Sequence, residues 1–490
     1  MRRQRTIYFN DARHYYLYVF EPPMKLEDAW RPVDECAGTG VDTFVYGVQS
    51  GSLFYPSKVG MRFGADMQGF SSSANWRVWN NMQSLIDRGL DPLTILIDRA
   101  HEKGMDFFAS MRMGSYAGID PAHELTSGGR GWVHPEVRNH QRAVLEELAT
   151  EYPMEGIELD YAAPPGGSSW YFKDEDVAEY MPVMTEWIRE VSAMVRGRQG
   201  EPGQMGVRVY PTEAINLTAG LDVRTWLTEG LLDYVVPMVY AHTLIDCNLP
   251  IDWLVEPAHA ADASVYPLIQ PDYYPENARR GTSGTLNSRG YASPAMMRAA
   301  AANFWDRGAD GMYTMWLEWP LTETGSRILT ELGDPDLVKE ANKHYCAGRR
   351  SHYSEVVGYE RPLPLEIGSS DTNTRHVISF YVADDFEAVS DRIRQVHLKI
   401  NVSDLVLEDR LTIRLNGESL SNEPVRRNFG NRINAYSGQW LEFRLETIRP
   451  RKGHNLLEIT LDGRAKRMTS SLRVEDVEVI VEYGSYPSRL

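Results

Sequence analysis

The amino-acid sequence predicts an α/β fold, a (β/α)8 TIM barrel followed by a C-terminal, all-β sandwich of jelly-roll type. Over the first two-thirds of the chain, short β-like runs alternate with amphipathic helical segments, as they do in such barrels. After about Gly348 the pattern changes to apolar residues at every second position, with no convincing helix. We therefore expect a barrel at residues 1–348, a linker at 349–369 and a β-sandwich at 370–490.

Eight apolar runs predict the barrel strands, and the segments between them have the spacing of amphipathic helices. The predicted strands are residues 16–20, 43–48, 106–111, 156–161, 206–210, 234–240, 265–269 and 311–317. The clearest predicted helices are residues 81–103, 136–151, 174–196 and 294–307. Strands that alternate with helices in this way form parallel sheets.

Six further runs predict the strands of the C-terminal domain. They are residues 377–382, 396–402, 411–416, 440–445, 456–461 and 474–483. Asn416-Gly417 and Asp462-Gly463 follow two of these runs and are typical of hairpin turns. The aromatic residues of this part are scattered, so we expect it mainly to pack on the barrel, with sugar binding secondary.

Composition and charge restrict the class of partner. Hydrophobic residues make up 42% of the 490-residue chain, enough for a large core, and no apolar run reaches the roughly 18 residues of a membrane span. The net charge of −17 argues against nucleic acid or an anionic membrane as the main partner. The oligomeric state stays open, with a homodimer as one possibility.

The number and spacing of the cysteines indicate the cellular compartment of the protein and whether it binds a metal. Cys36, Cys247 and Cys346 are widely spaced and form no Cys-x-x-Cys pattern. A disulfide framework is therefore not expected, and cytoplasmic residence is favoured, although a removed leader would make the protein secreted. We expect no metal and no cofactor.

Residues 156–161, with the sequence GIELDY, contain two carboxylates in a strand. Because side chains alternate along a strand, Glu158 and Asp160 share one face while Tyr161 points to the other. Buried carboxylates are costly and are often retained for chemistry. A Pro/Gly-containing loop follows directly, which places Asp160 at the carboxyl end of the fourth strand, where barrel active sites lie.

Polar and aromatic residues recur at the other predicted strand ends. Carboxylates among flat aromatic faces suit a sugar ring, and glycoside cleavage needs two carboxyl groups. The candidate catalytic residues are Asp160, Glu213, Glu318 and Asp272. The candidate substrate-binding residues are Glu21, Tyr46, Arg112, Glu158, Tyr161, Tyr210, Tyr240, His242, Tyr273 and Trp316. This set predicts a hydrolase of a neutral or weakly charged oligosaccharide.

Several of these residues also have a purely structural interpretation. Glu158 could form an ion pair inside the barrel with Arg112 or Arg208. Glu213 could be an acid in the first turn of a helix, and Asp272, which lies beside Pro271, could form a turn.

Four motifs carry a resemblance to a known family. They are GIELDY at 156–161, GWVHPEVR at 131–138, LDVRTW at 221–226 and GLLDYVVPM at 230–238. Together they resemble glycosyl hydrolase-like family ten, over roughly residues 15–331. The resemblance implies a TIM-barrel glycosidase-like domain, distantly akin to α-amylase-type and α-galactosidase-type barrels.

In those related barrels the aspartate of the fourth strand is usually the nucleophile, and this role corresponds to Asp160. The resemblance also favours retention of anomeric configuration. Among the carboxylates at the strand ends, we expect Glu213 or Glu318 as acid/base and Asp272 as a weaker third choice. Two alternatives remain at this point: a metal-assisted lyase or isomerase built on the same barrel, and a non-catalytic carbohydrate-binding protein. Resistance of the activity to EDTA would separate the hydrolase from the metal-assisted enzyme.

Overall fold

The computed structural model describes residues 4–11, 16–114, 117–126, 129–162, 171–198, 202–240, 244–273, 290–429 and 438–484. It shows a mixed α/β protein with one nine-stranded parallel sheet and, in the C-terminal part, two larger antiparallel sheets. In the described part of the chain, no helix combines the length and the apolar character needed to cross a membrane.

The parallel sheet is formed by nine strands of the N-terminal part. In chain order they are β1 (Arg5–Asp11), β2 (Thr43–Gly47), β3 (Asp106–Arg112), β4 (Gly156–Asp160), β5 (Gln204–Val209), β6 (Tyr234–Pro237), β7 (Ser264–Val265), β8 (Leu268–Ile269) and β9 (Gly311–Met315). Their order in the sheet is β7-β6-β5-β4-β3-β2-β1-β9-β8. Parallel strands connected by helices bring all their carboxyl ends to one edge.

The two outer strands of this sheet, β7 and β8, follow one another in the chain. Only Tyr266 and Pro267 separate them. The N–H of Tyr266 donates to the carbonyl of Val235 on β6 at 3.0 Å, and Pro267 accepts from Tyr313 on β9 at 3.2 Å. The segment 264–269 therefore makes backbone contacts with both β6 and β9.

Helices connect the strands, and many begin where the sequence offers a capping residue. The helices are Tyr16–Val19, Leu26–Asp34, Ser73–Ile86, Pro92–Glu102, Pro135–Glu151, Val177–Arg196, Glu213–Thr218, Val223–Thr228, Asp252–Ala260, Pro294–Asp306, Glu323–Leu332, Pro335–Lys339 and His352–Val356. Ser72, Asp91 and Ser293 each accept a backbone N–H of the following helix, which satisfies a donor that the helix itself leaves free.

The first predicted strand is wrong. Residues 16–20 include the helix Tyr16–Val19, and the first strand is Arg5–Asp11 instead, every residue of which is buried. A search for apolar runs does not find this strand, because it contains polar residues. One of them is Arg5, whose guanidinium is buried and donates to Thr43 and to Asp106, both at 2.6 Å. Another difference is that predicted helix 81–103 is two helices, separated by residues 87–91.

The C-terminal part contains two antiparallel sheets. Its strands are β10 (Lys343–Cys346), β11 (Leu365–Ile367), β12 (Arg375–Val382), β13 (Ile393–Ser403), β14 (Arg410–Leu415), β15 (Glu418–Ser419), β16 (Val425–Phe429), β17 (Gln439–Arg444), β18 (Gly453–Gly463) and β19 (Leu472–Tyr483). One sheet has the order β10-β19-β13-β17-β16 with β11 also on β19, and the other β12-β18-β14-β15. All six predicted runs fall on observed strands.

Two strands of this part lie outside the predicted β domain. β10 belongs to the predicted barrel domain and β11 to the predicted linker, yet both pair with β19. The N-terminal and C-terminal parts also contact one another directly, because the hydroxyl of Tyr381 donates to Asp306 at 2.6 Å. The domain limits and the jelly-roll arrangement stay predictions.

Candidate active site

Glu158 and Arg208 form an ion pair in the centre of the parallel sheet. Arg208 Nε donates to Glu158 Oε1 at 2.6 Å, and the side chains are 1% and 0% exposed. The same oxygen accepts from Ser110 at 2.7 Å and from Tyr313 at 3.2 Å, and Oε2 accepts from Tyr234 at 3.2 Å. Of the two arginines considered from the sequence, Arg208 is the partner, and substrate contact by Glu158 would require these bonds to break.

Asp160 lies at the end of β4, level with an arginine on each neighbouring strand. It is in register with Arg112 on β3 and with Arg208 on β5. Its Oδ2 accepts from Arg208 Nη1 at 3.2 Å, while the buried Oδ1 accepts no hydrogen bond of standard geometry among the described residues. Arg208 therefore holds one carboxylate oxygen, and the backbone N–H of Ala162 also favours the charged form of the group.

The pKa of Asp160 is raised to about 6. Burial is the main cause, since the side chain is 1% exposed and a low-dielectric surrounding disfavours its charge; Glu158 adds repulsion. The charges of Arg208 and Arg112 act in the opposite direction and lower the pKa. A carboxyl group that titrates near neutral pH is suited to acid–base or nucleophilic work.

Arg112, which is level with Asp160, forms an ion pair with a carboxylate of the first strand. Its Nη2 donates to Asp11 Oδ2 at 2.6 Å, and the two side chains are 11% and 3% exposed. The guanidinium carbon lies 5.5 Å from the ring centre of Tyr240, at the distance of a cation–π contact. At the carboxyl edge of the sheet, Arg112 thus lies among two acids and an aromatic ring.

Trp316 extends this aromatic surface. It follows β9, and its ring lies 6.2 Å from that of Tyr240 at 79°. Its φ of 54° is a left-handed conformation that costs a bulky residue about 1–3 kcal/mol and that often occurs at functional sites. This strained position favours a role for Trp316 at the edge of the candidate site.

Glu318 and Asp272 lie near one tyrosine at the same side of the sheet. Burial raises the pKa of Tyr291, and the charges of Glu318, Asp272 and Tyr18 raise it further. Asp272 is also the backbone partner of Tyr291, because the strands Asp272–Tyr273 and Gly290–Tyr291 pair in the antiparallel sense. Glu318 itself is exposed to solvent.

Glu213 and Glu21 are each held by an arginine near the surface. Glu213 is the first residue of its helix and accepts from Arg224 Nη2 at 2.9 Å, and this contact lowers its pKa. Glu21 accepts from Arg77 at 2.6 Å. Within the described residues, no hydrogen bond or ion pair joins either glutamate to Asp160.

Three tyrosines proposed from the sequence to contact substrate are fully buried: Tyr46, Tyr161 and Tyr210. Tyr161 packs between strand and helices, with its ring 5.4 Å from Tyr171 and 5.7 Å from Trp226. In this arrangement it presents no surface to a ligand. The hydroxyl of Tyr273 donates to Glu478 of the C-terminal sheet. His242 lies outside the described residues.

Sequence reasoning missed Asp11, and with it the partner of Arg112. Two tyrosines near the strand ends, Tyr18 and Tyr291, were also not selected. A search for acids at the ends of all strands, including strands with buried polar residues, would have found Asp11.

Two groups of described residues bring their ligand atoms close enough to hold a cation. They are His123, His134 and Glu136, and His344, Cys346 and Glu478. Neither group includes Asp160, Arg112 or Asp11.

No family model matches the chain. The chain is similar to the protein named glycosyl hydrolase DigH of Escherichia coli K12, with 21% identity over 264 residues. The match covers 42% of this chain and 56% of that protein, and the DigH proteins of Shigella flexneri and of an E. coli O157:H7 strain match equally. The chain thus matches little more than half the length of these relatives.

Solved structures with some likeness include chitinase ChiW from a Paenibacillus species, with 11% identity and a TM-score of 0.44, over 96% of this chain and 56% of that one. Another is the α-L-fucosidase of Vibrio sp. strain EJY3, with 10% identity and a TM-score of 0.40. The alignment covers 97% of this chain and 96% of the fucosidase. Likeness at this level does not establish a shared activity. The sequence match alone shows the relationship: the chain is a distant relative of proteins named glycosyl hydrolase.

Proposed function

We propose that this protein is a glycoside hydrolase that cleaves an O-glycosidic bond of an oligo- or polysaccharide at the carboxyl edge of its parallel sheet. The observation that carries the proposal is Asp160, a carboxyl group at a strand end with a pKa of about 6 and one oxygen free of standard hydrogen bonds among the described residues. The names of the DigH relatives support the same reaction class.

We also infer that the parallel sheet closes as a (β/α)8 barrel across residues 264–269. Support comes from the two outer strands β7 and β8, which are adjacent in the chain and pair with β6 and β9 in the parallel sense. In this interpretation they are two halves of one strand with a break at Tyr266 and Pro267. The carboxyl ends of all strands would then surround one site.

Asp160 is proposed as the nucleophile of a retaining mechanism. Its ionised oxygen attacks the anomeric carbon while a second carboxyl group protonates the leaving oxygen; water then releases the sugar, and the second group takes back a proton. Arg208 and Arg112 stabilise the charged form of Asp160, because both lower its pKa. Above about pH 6 most of the Asp160 carboxyl is therefore available as nucleophile.

Glu318 is the preferred acid/base partner. A general acid must keep its proton near neutral pH, and the contact with Arg224 lowers the pKa of Glu213, which opposes that role. Glu318 is exposed and lies beside Tyr291 on the side where Trp316 marks the strand end. Glu213 is the second choice and Asp272 the third.

Sugar contacts are proposed for Tyr240, Trp316 and Arg112, which lie together beside Asp160 and expose part of their surface. Aromatic faces stack on the C–H groups of a sugar ring, and the guanidinium donates to hydroxyl groups.

The experiment that tests the proposed function is a hydrolysis screen of the full chain. Aryl α- and β-glycosides and a panel of polymeric glycans are incubated with wild-type protein and with Asp160→Asn. Release of aryl alcohol or reducing ends by the wild type alone supports the proposal. Binding of a glycan without hydrolysis by either protein contradicts it and indicates a carbohydrate-binding protein.

A further inference from the structure

A cluster of one imidazole, one thiol and one carboxylate lies in the C-terminal six-stranded sheet. His344 and Cys346 belong to β10, and Glu478 belongs to β19. One ligand atom from each residue lies within 4.8 Å of the other two. We propose that this cluster is a structural binding site for a divalent transition-metal ion, with zinc as the best fit.

The strand register brings the three ligands to one face. Cys346 is directly opposite Glu478 in the antiparallel pair, and His344 is two residues from Cys346, so their side chains point the same way. Nitrogen, sulfur and oxygen ligands of this kind suit zinc. Tetrahedral zinc holds its ligand atoms roughly 3.5 Å apart, so small side-chain rotations within the observed cluster are enough.

The carboxylate of the cluster is already oriented. Tyr273 donates to Glu478 Oε1, and His344 Nε2 lies 2.9 Å from Oε2. Despite this short distance, Nε2 is a buried atom that makes no hydrogen bond of standard geometry. Metal-binding carboxylates are commonly held by an outer hydrogen bond such as that from Tyr273.

The surroundings leave space for a fourth ligand. Cys346 is 6% and Glu478 4% exposed, and the His344 side chain is 18% exposed. A cavity of about 20 Å³ is lined by Tyr273, Cys346 and Glu478, among others, and has room for about one water molecule. His344 does not line this cavity, so a water there would approach the metal from the side of Cys346 and Glu478.

The competing explanation is an ion pair between His344 and Glu478 beside an inert buried thiol. Free cysteine is often buried simply as a small apolar residue. The two explanations differ in one respect, because only a metal site uses the sulfur of Cys346. The experiment must therefore report on a metal–sulfur bond.

A metal at this cluster would stabilise the fold and would not take part in sugar cleavage. It would join β10 to β19, while Tyr273 connects the same carboxylate to the N-terminal part. A metal that binds only the folded chain raises its stability. The proposal is independent of the proposed hydrolase activity.

Cobalt substitution tests the metal–sulfur bond on the full chain. Metal-stripped protein is titrated with Co²⁺, and a thiolate-to-cobalt charge-transfer band is expected in the near ultraviolet. Cys346→Ser should abolish this band, whereas Cys36→Ser, a matched change of another buried thiol, should keep it. Co²⁺ bound at His123, His134 and Glu136 gives no such band, because that group contains no sulfur.

Zinc binding provides the second measurement. Zn²⁺ should raise the melting temperature of the wild type and of Cys36→Ser by more than that of Cys346→Ser or His344→Gln, because zinc at His123, His134 and Glu136 would act equally on all four proteins. Tyr273→Phe, which removes the outer hydrogen bond to Glu478, should weaken zinc binding about 10–100-fold. Absence of the charge-transfer band in the wild type, or its persistence in Cys346→Ser, would overturn the proposal.

Discussion

Arg208 Nη1 lies 3.2 Å from Asp160 Oδ2, and each side chain is 1% exposed. The same guanidinium donates through Nε to Glu158, so one cation is shared by two buried carboxylates of β4. Both acids are almost completely buried, so their charges are stabilised mainly by this arginine. The geometry couples the stability of the sheet to the ionisation of the proposed nucleophile.

Arg208→Gln should destabilise the protein by about 3–5 kcal/mol, because it leaves two carboxylates buried without their main cation. Urea unfolding followed by circular dichroism measures the change. Arg189→Gln is the matched control: Arg189 pairs with Glu229 at the surface, and its loss should leave the unfolding midpoint almost unchanged. Equal midpoints for the two variants would contradict the central role of Arg208.

The pH dependence of hydrolysis should show an acidic limb near pH 6. A nucleophile acts only when ionised, so kcat/KM should rise as the pH increases through the Asp160 pKa of about 6. If Asp160 were the general acid, the same pKa would produce a fall in kcat/KM above pH 6. The direction of this limb therefore distinguishes the two roles.

Arg112→Gln should move that limb to higher pH. The positive charge of Arg112 lowers the pKa of Asp160, and its removal favours the protonated form. The measurement is the pH profile of kcat/KM for this variant beside that of Arg189→Gln, whose limb should stay in place. A limb that moves to lower pH in Arg112→Gln would be inconsistent with the observed contacts.

Glu318→Gln should reduce hydrolysis of an unactivated glycan by about 10²–10⁴-fold, the usual contribution of general acid catalysis. Aryl glycosides with good leaving groups need less protonation and should lose less activity. Azide should restore turnover of these substrates if Glu318 is the base of the second step. A greater effect of Glu213→Gln in the same assays would assign the role to Glu213.

Gly206→Ala should destabilise the protein by about 1–3 kcal/mol, which is the usual cost of inserting an extra carbon into a well-packed core. A Cβ at Gly206 would lie 1.9 Å from Cζ of Tyr234, the ring whose hydroxyl donates to Glu158. Gly69→Ala, at an exposed position with nothing within 4 Å, serves as the control. Equal melting temperatures for the two variants would show that the ring adapts without cost.

The order of most strands was predictable because each combines a run of apolar residues with a helical segment before the next. The strand Arg5–Asp11 was not, since the cost of burying Arg5 is offset by Asp106, a residue about a hundred positions away. Long-range pairing of this kind leaves no local pattern in the sequence. Because this strand was not predicted, Asp11 at its end was not recognised as a candidate site residue.

The sequence predicts that Asp160 lies at a strand end, because a Pro/Gly-containing loop follows it. The sequence does not predict which arginine pairs with Glu158. Arg112 and Arg208 are equivalent even in register, since both lie level with Asp160. Only the side-chain contacts separate them, because Arg112 donates to Asp11 and Arg208 donates to Glu158. Strand alternation predicts that Tyr161 points away from Asp160, and its ring packs against Trp226, although its aromatic character also makes it a candidate substrate-binding residue. Aromatic character alone did not distinguish a core residue from a ligand contact.

The most direct measurement of the central claim is turnover by Asp160→Asn on a glycan that the wild type cleaves. The substitution keeps the shape of the side chain and removes its charge. The melting temperature should not fall, because the raised pKa of about 6 means that the burial cost of the charge outweighs its attraction to Arg208 and Arg112. We expect hydrolysis to fall by at least about a thousandfold with glycan binding retained, whereas near-normal hydrolysis would show that Asp160 is not the nucleophile.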